Sequence, residues 1–345
     1  MRYLWERLKE TDKPIVLYGM GDGADRILDR MALLGISASG VFASNDFVRG
    51  HVFRGFPVIT YAQAKEKYGD MIVLLAFGTN RPEVMERITR IAAEQEFYAP
   101  DVPVCGETFF TREYAQAHSS ELDRVYGMLE DEESRKVFKS IVAYRLTGVL
   151  NHLTACESDK DEAYGLLGLG QNESYLDLGA YNGDTVLELI AHVGKYKSIT
   201  AVEPDSRSFR KLVSNTGGLP CVTAINLGIS NGESLIPFSA GSGRGSASKG
   251  SRREAMIPAA SVDSIIGGEY VSYIKIDIEG REKAAITGGA ETIRRCRPKM
   301  CISCYHRGED IFELPLLVKS MVPDYRIYIR HHPYFPAWDT NYYFI

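Results

Sequence analysis

Twice in this chain a short apolar run ends in a glycine turn and passes straight into an amphipathic helix. The first instance is PIVLYGMGDGADRILDRMALLG, from Pro14. The second is SYLDLGAYNGDTVLELIAHVG, from Ser174. A strand feeding a helix in this way is the repeating unit of a parallel sheet. Parallel neighbours need a long crossover, and the crossover helix covers the sheet face. A chain with one such opening in each half is therefore constrained toward two α/β units.

The residues after each opening keep the alternation going. In the first half come ASGVFAS, FPVIT, a helix from about Tyr61 to Tyr68, the strand MIVLLAF, a helix after Pro82 and a short strand near Phe97. From Glu113 to about Thr154 the apolar spacing is helical with charged faces, which reads as a linker or an inter-domain bundle. In the second half SYLDL, SITAV, CVTAINLGIS, VSYIKIDIEG, KMCISCYH, YRIYIRHH and NYYFI supply seven strands. The expected division is a Rossmann-like domain at 1–112, a helical linker at 113–164 and a larger domain at 165–345. The expected fold class is α/β, with a seven-stranded doubly wound sheet in the larger domain.

Composition narrows the function. A chain of 345 residues is long for one core. Forty basic against 45 acidic residues leave a net charge of −5, so no global basic excess is available to grip a nucleic-acid backbone. No apolar run approaches the roughly 18 residues of a membrane span. The start, MRYLWERLKETDK, lacks the apolar centre of a signal peptide. The six cysteines are scattered, which suits a reducing compartment. A cytoplasmic protein is the expectation. Cys301 and Cys304 form one CxxC with no second pair at zinc-site spacing, so they read as buried thiols.

The chemistry concentrates in four places. In YLDLGAYNGDT, Asp177 ends a buried strand and Gly179 and Gly183 follow, where glycine lets a backbone approach a ligand. In TAVEPD, Glu203 ends the second strand, 20 residues beyond Gly183, where a carboxylate accepts both hydroxyls of a ribose. In YIKIDIEG, Asp277 and Glu279 are two apart and share a face if the strand continues. In CYHRGEDIFELP, His306 follows the fifth strand, which brings an imidazole to the same edge. Its ordinary pKa of about 6.5 suits proton abstraction from a hydroxyl.

Together these motifs resemble the FkbM-type methyltransferases over about residues 165–345, IKIDIEG being the most specific element. The resemblance implies a class I methyltransferase that uses S-adenosyl-L-methionine and acts on a hydroxyl of a sugar, polyketide or related metabolite. It implies that Asp177, Gly179, Ala180, Tyr181, Gly183 and Asp184 cradle the methionine end of the cofactor. Glu203 would take the ribose, and Asn226 to Gly228 would lie near the adenine. Asp277, Glu279 and His306 would face the methyl group, with His306 as base. Many members carry Glu-x-His after the fifth strand, and Cys304 stands here in place of that Glu. A divalent metal that lowers the acceptor pKa is the rival scheme.

The first glycine turn fits GxGxxG/A through Gly19, Gly21 and Ala24, with Asp46 near the place of a ribose-binding acid. Asn80 and Arg81, after the strand MIVLLAF, are candidates to line a pocket there. This supports an alternative: a nucleotide- or nucleotide-sugar-binding protein, or an NAD-dependent enzyme. A scaffold for docking or homo-oligomer formation is the plainer reading. The Gly/Ser stretch from Ser239 to Ser251, with Arg244, Lys249, Arg252 and Arg253 in or beside it, reads as a mobile loop, solvated or closing over an anionic acceptor. The expected partner is a small hydroxyl acceptor, with no nucleic acid and no membrane.

Overall fold

A computed structural model of the protein describes residues 2–48, 50–239 and 254–345. The first half forms a six-stranded sheet from β1 (Ile15–Tyr18), β2 (Gly40–Phe42), β3 (Val52–Phe53), β4 (Phe56–Ile59), β5 (Ile72–Leu75) and β6 (Glu96–Tyr98). Their order is β3-β4-β2-β1-β5-β6. Every pair is parallel except β3 with β4. Every residue of β1 and β5 is buried, as a strand covered by helices on both faces demands.

The second half contains β7 (Ser174–Leu178), β8 (Ser198–Val202), β9 (Val222–Ile225), β10 (Gly228–Ile229), β11 (Ser234–Ser239), β12 (Glu254–Ala260), β13 (Tyr273–Ile276), β14 (Lys299–Ser303), β15 (Ile327–His331) and β16 (Thr340–Phe344). Seven of them make the sheet β15-β16-β14-β13-β7-β8-β9. Only β16 runs against its neighbours. The chain leaves β7 toward β8 on one side and later returns to β13 on the other. Strand order thus reverses between β7 and β13, and a crevice opens at their carboxyl ends, where such sheets bind ligands.

The small sheet β10-β12-β11 was not expected: the stretch CVTAINLGIS, read as one strand, divides into β9 and β10, and β11 and β12 are additional. Six residue pairs, from Ser234↔Ala259 to Ser239↔Glu254, zip β11 to β12. Ser239 therefore belongs to a strand, while Arg244, Lys249, Arg252 and Arg253 lie outside the described residues.

The helical stretch joining the halves is packed. The helix Glu132–Thr147 starts at Asp131, which caps Ser134 N at 2.7 Å, and ends at Gly148 in a left-handed conformation. It lies along the outer strand β15, where Ser134 Oγ accepts from Ile329 N at 3.1 Å. Arg330 of β15 is buried and bonds Asp131 at 2.7 Å and Glu162 at 2.9 Å. These contacts cover an otherwise open sheet edge. The same helix touches both halves: Tyr144 donates to Ala99 O at 2.9 Å, and Arg145 to Gly308 O at 2.9 Å. One apolar cluster accordingly runs from Val73 and Leu75 through Ile141 to Ile276 and Tyr342.

Candidate active site

The carboxyl ends of both sheets face one cavity of about 1530 Å³. Met20, Phe77 and Gly78 line it from the first half, and Gly179, Glu203, Asp277 and His306 from the second. Ligand pockets commonly run to roughly 300–1,000 Å³, so this space is large enough for more than one small molecule.

The loop after β7 is shaped by two glycines. Gly179 has φ +87°, and a Cβ there would sit 1.9 Å from the Asp277 carbonyl oxygen. Only glycine allows the loop to lie against the end of β13. Gly183, also at φ +87°, precedes the helix Asp184–Val193. Asp177 lies beneath the loop, fully buried, and accepts from the Thr185 hydroxyl. Burial pushes its carboxyl up, against the pull of Lys275. Its Oδ1 has no hydrogen-bond partner. Asp177 and the buried Ala180 support the loop, whereas Tyr181, at φ +44° and 49% exposed, borders the cavity. Asp184 also borders it, and its Oδ1 accepts from Thr185 N at 2.9 Å.

Glu203 stands at the end of β8, 7% exposed. Tyr181 N donates to its Oε2 and Asp205 N to its Oε1, both at 2.8 Å. Burial pushes its carboxyl up to about 7, outweighing those two amides. The carboxylate is aimed by backbone donors and still lines the cavity. Asn226 Nδ2 donates to the carbonyls of Glu203 and Pro204 at 2.8 and 3.1 Å. It fixes the Glu203 loop from behind and does not line the cavity.

Opposite lies a cluster that the sequence reading captured only in part. Lys275, within β13, reaches Asp277 at 3.6 Å and Asp177 at 4.0 Å. Burial works against its charge, but the two carboxylates outweigh it and hold the ammonium above its usual value. Tyr305 donates its hydroxyl to Asp277 Oδ1 at 2.9 Å. His306 Nε2 lies 3.6 Å from the same oxygen, and its Nδ1 lies 3.0 Å from Glu282 Oε1, too far off line for a hydrogen bond. Burial alone would lower the pKa of His306, yet Glu282 and then Asp277 raise it to about 9. Near neutral pH the ring already carries the proton that a base would have to accept. Both carboxylates thus favour the protonated ring over the neutral form that the expected base role needs. β13 ends at Ile276 and Glu279 turns at φ +53°, so Asp277 and Glu279 do not share a strand face. Lys275, Glu282 and Tyr305 were missed; only the period-two spacing of Lys275 and Asp277 could have pointed to one of them.

Among the described residues no group of three or more His, Cys, Asp or Glu is placed to hold a metal ion. Cys301 and Cys304 are buried free thiols, the latter directed at Thr340 O. No helix is long and apolar enough to cross a membrane, among the described residues.

The first glycine turn reaches the same cavity through Met20, Gly21, Asp22 and Gly23, but its first glycine, Gly19, is covered. A Cβ on Gly19 would lie 2.5 Å from the Phe77 ring, and one on Gly78 2.3 Å from Trp338. After β2 the chain presents Ser44, held by Tyr18 and Arg87, where a ribose-binding acid would be expected. Asp46 lies in the short helix Asn45–Val48. Thr79 pairs with Phe335 of the second half, Arg81 pairs with Glu83, and neither Asn80 nor Arg81 lines the cavity.

Residues 177–336 match the family model described as the methyltransferase FkbM domain. Among solved structures, the chain is similar to methyltransferase FkbM from Methylobacillus flagellatus KT. The TM-score is 0.73 at 22% identity, over 96% of this chain and 90% of that one, which shows a common fold. Aeropyrum pernix fibrillarin with natively bound S-adenosyl-L-methionine aligns at TM-score 0.33 and 14% identity, over 54% of this chain and 74% of that one. A SAM-dependent methyltransferase from Aquifex aeolicus aligns at 0.35 and 15%, over 62% and 98%. The last two likenesses are too slight to carry an argument. No curated protein matches the chain.

Proposed function

We propose that this chain, a methyltransferase by its FkbM domain at residues 177–336, uses S-adenosyl-L-methionine to methylate a hydroxyl of a sugar or related metabolite. The observation that carries the reading is Glu203. It is a buried carboxylate, aimed by two backbone amides, beside an open glycine loop at the strand-order reversal. The residues fit the cofactor. Glu203 would hold the ribose, and the backbone from Gly179 to Gly183, with Asp184, the methionine end.

When bound, the cofactor supplies a sulfonium whose methyl is already electrophilic. The protein's task is to place an acceptor oxygen in line and to receive its proton. Positioning supplies up to about 7–11 kcal/mol in well-oriented systems, and base help about 10²–10⁴-fold. Asp277 is the group for the proton. Its side chain is 21% exposed toward the cavity, whereas that of His306 is 3% exposed and already protonated. Lys275 and the His306 imidazolium flank Asp277 and orient it. Tyr305, bonded to the same carboxylate, steers the acceptor hydroxyl. The rival metal scheme has no ligand set among the described residues.

Calorimetric titration with S-adenosylhomocysteine, and with NAD in parallel, tests the reading. Micromolar binding of the first, lost in Glu203→Ala, is the expected result. Binding of NAD alone would move the site to the first glycine turn and overturn the proposal.

A further inference from the structure

Arg281 and Arg307 follow the reacting cluster directly, the first just after Glu279 and Gly280, the second next to His306. Both line the cavity on the β13–β14 side, away from Glu203 on β8. The Arg307 guanidinium is clamped. Its Nε donates to Gly280 O at 2.8 Å, and its Nη1 would be 3.0 Å from a Cβ on Gly106. Among the described residues Arg281 donates only to Pro237 O, at 3.5 Å. Among the described residues no carboxylate lies within ion-pair distance of it. Burial and the like charge of Arg307 both depress its pKa. From the first half Arg26 joins the same wall, donating to Gly106 O at 3.3 Å.

The acids on this wall are occupied. Asp22 pairs with Arg26 at 3.2 Å, Glu282 faces His306, and Asp310 accepts from the Arg307 backbone amide. Glu279 has a partner of its own. Glu309 stands 3.9 Å from Arg307, at the edge of ion-pair range. Arg281 has no ion pair among the described residues and Arg307 only one at the limit of range, yet both line the same cavity and feel one another's charge. Two such guanidiniums make a fork suited to a tetrahedral or planar oxyanion.

We infer that the methyl acceptor carries an anionic group, a phosphate or a carboxylate, gripped by Arg281 and Arg307 where the two halves meet. The inference rests on the reading of the cavity as a methyl-acceptor site. The grip would hold one end of the acceptor while its hydroxyl lies at Asp277. A neutral sugar would leave Arg281 without a counter-charge among the described residues.

The test is calorimetric titration of the full chain, alone and saturated with S-adenosylhomocysteine, with inorganic phosphate and separately with acetate. Saturable binding of one anion is expected, phosphate marking a phosphorylated acceptor and acetate a carboxylate. Arg281→Gln should weaken it about tenfold or more. Arg307→Gln should do the same, and Arg281→Gln is decisive should loss of the Gly280 contact disturb folding. Lys283→Gln, at a cavity residue paired with Glu313, should change it by no more than about twofold. Binding of neither anion, or binding indifferent to Arg281→Gln, overturns the inference. So does weaker S-adenosylhomocysteine binding in Arg281→Gln, because the pair would then serve the cofactor's carboxylate. If S-adenosylhomocysteine fails to bind the unaltered chain, the methyl-transfer reading falls, and titration of the chain alone still decides the anion site.

Discussion

The two glycine turns begin alike and end differently. In both, an inner strand of the sheet passes through a left-handed glycine into a helix. Over Gly19 an aromatic ring, Phe77, fills the space, and the following strand ends at Ser44, which is spent on Tyr18 and Arg87. Over Gly179 the neighbour is the backbone of Asp277, and the space above stays open beside Glu203. A glycine turn thus states that something approaches closely. Whether the visitor is the protein's own side chain or a ligand depends on residues far away in sequence.

The sharpest way to break this comparison is to fill each turn. Gly179→Ala puts a methyl into a carbonyl and demands a left-handed alanine. It should lower stability by about 3 kcal/mol or more and abolish S-adenosylhomocysteine binding. Gly19→Ala meets a movable ring, so it should cost about 1–2 kcal/mol and leave that binding intact. Thermal unfolding with calorimetric titration compares the two, and equal effects on binding would erase the distinction.

Next in size is Asp277→Asn, which should reduce turnover by about 10²–10⁴-fold with S-adenosylhomocysteine affinity nearly unchanged. Full activity would remove Asp277 as proton acceptor. The His306 ion pairs come third. A folded pKa raised from 6.5 to about 9 stabilises fully below 6.5 and is lost as pH rises through about 9. Chemical denaturation should show a loss on the order of 3 kcal/mol across that window. In His306→Gln that slope should vanish, and its persistence would place the titration elsewhere.

The smallest effect is on cofactor affinity. Burial pushes the Glu203 carboxyl up to about 7, and on the proposed reading its charged form would accept the ribose hydroxyls. S-adenosylhomocysteine affinity should therefore fall below about pH 7, by at most about tenfold per unit. Glu203→Gln should flatten the profile, whereas Ser44→Ala, at the matching place in the first half, should leave it unchanged.

The seven strands of the second sheet, their glycine loop and the strand-end position of Glu203 were legible in the sequence. Each rests on local pattern: a buried apolar run, a turn, a carboxylate just beyond. The hairpin β11–β12 was not, because a Gly/Ser-rich stretch between its arms reads as loop. Glu282 was invisible for another reason. It sits in a helix, and its partner His306 arrives from the following strand.

What the sequence determined by itself was the architecture of each half and the edge at which chemistry would sit, since strand period and glycine placement act within a few residues. The tertiary structure decided which leading glycine an aromatic ring covers and that Lys275 lies between two carboxylates. It also decided that two carboxylates, Glu282 and Asp277, face His306 and that Arg281 and Arg307 line one cavity. Those outcomes depend on charges and rings brought together across many tens of residues. Coulomb energy and packing respond to distance in space, which strand order sets and local pattern does not encode.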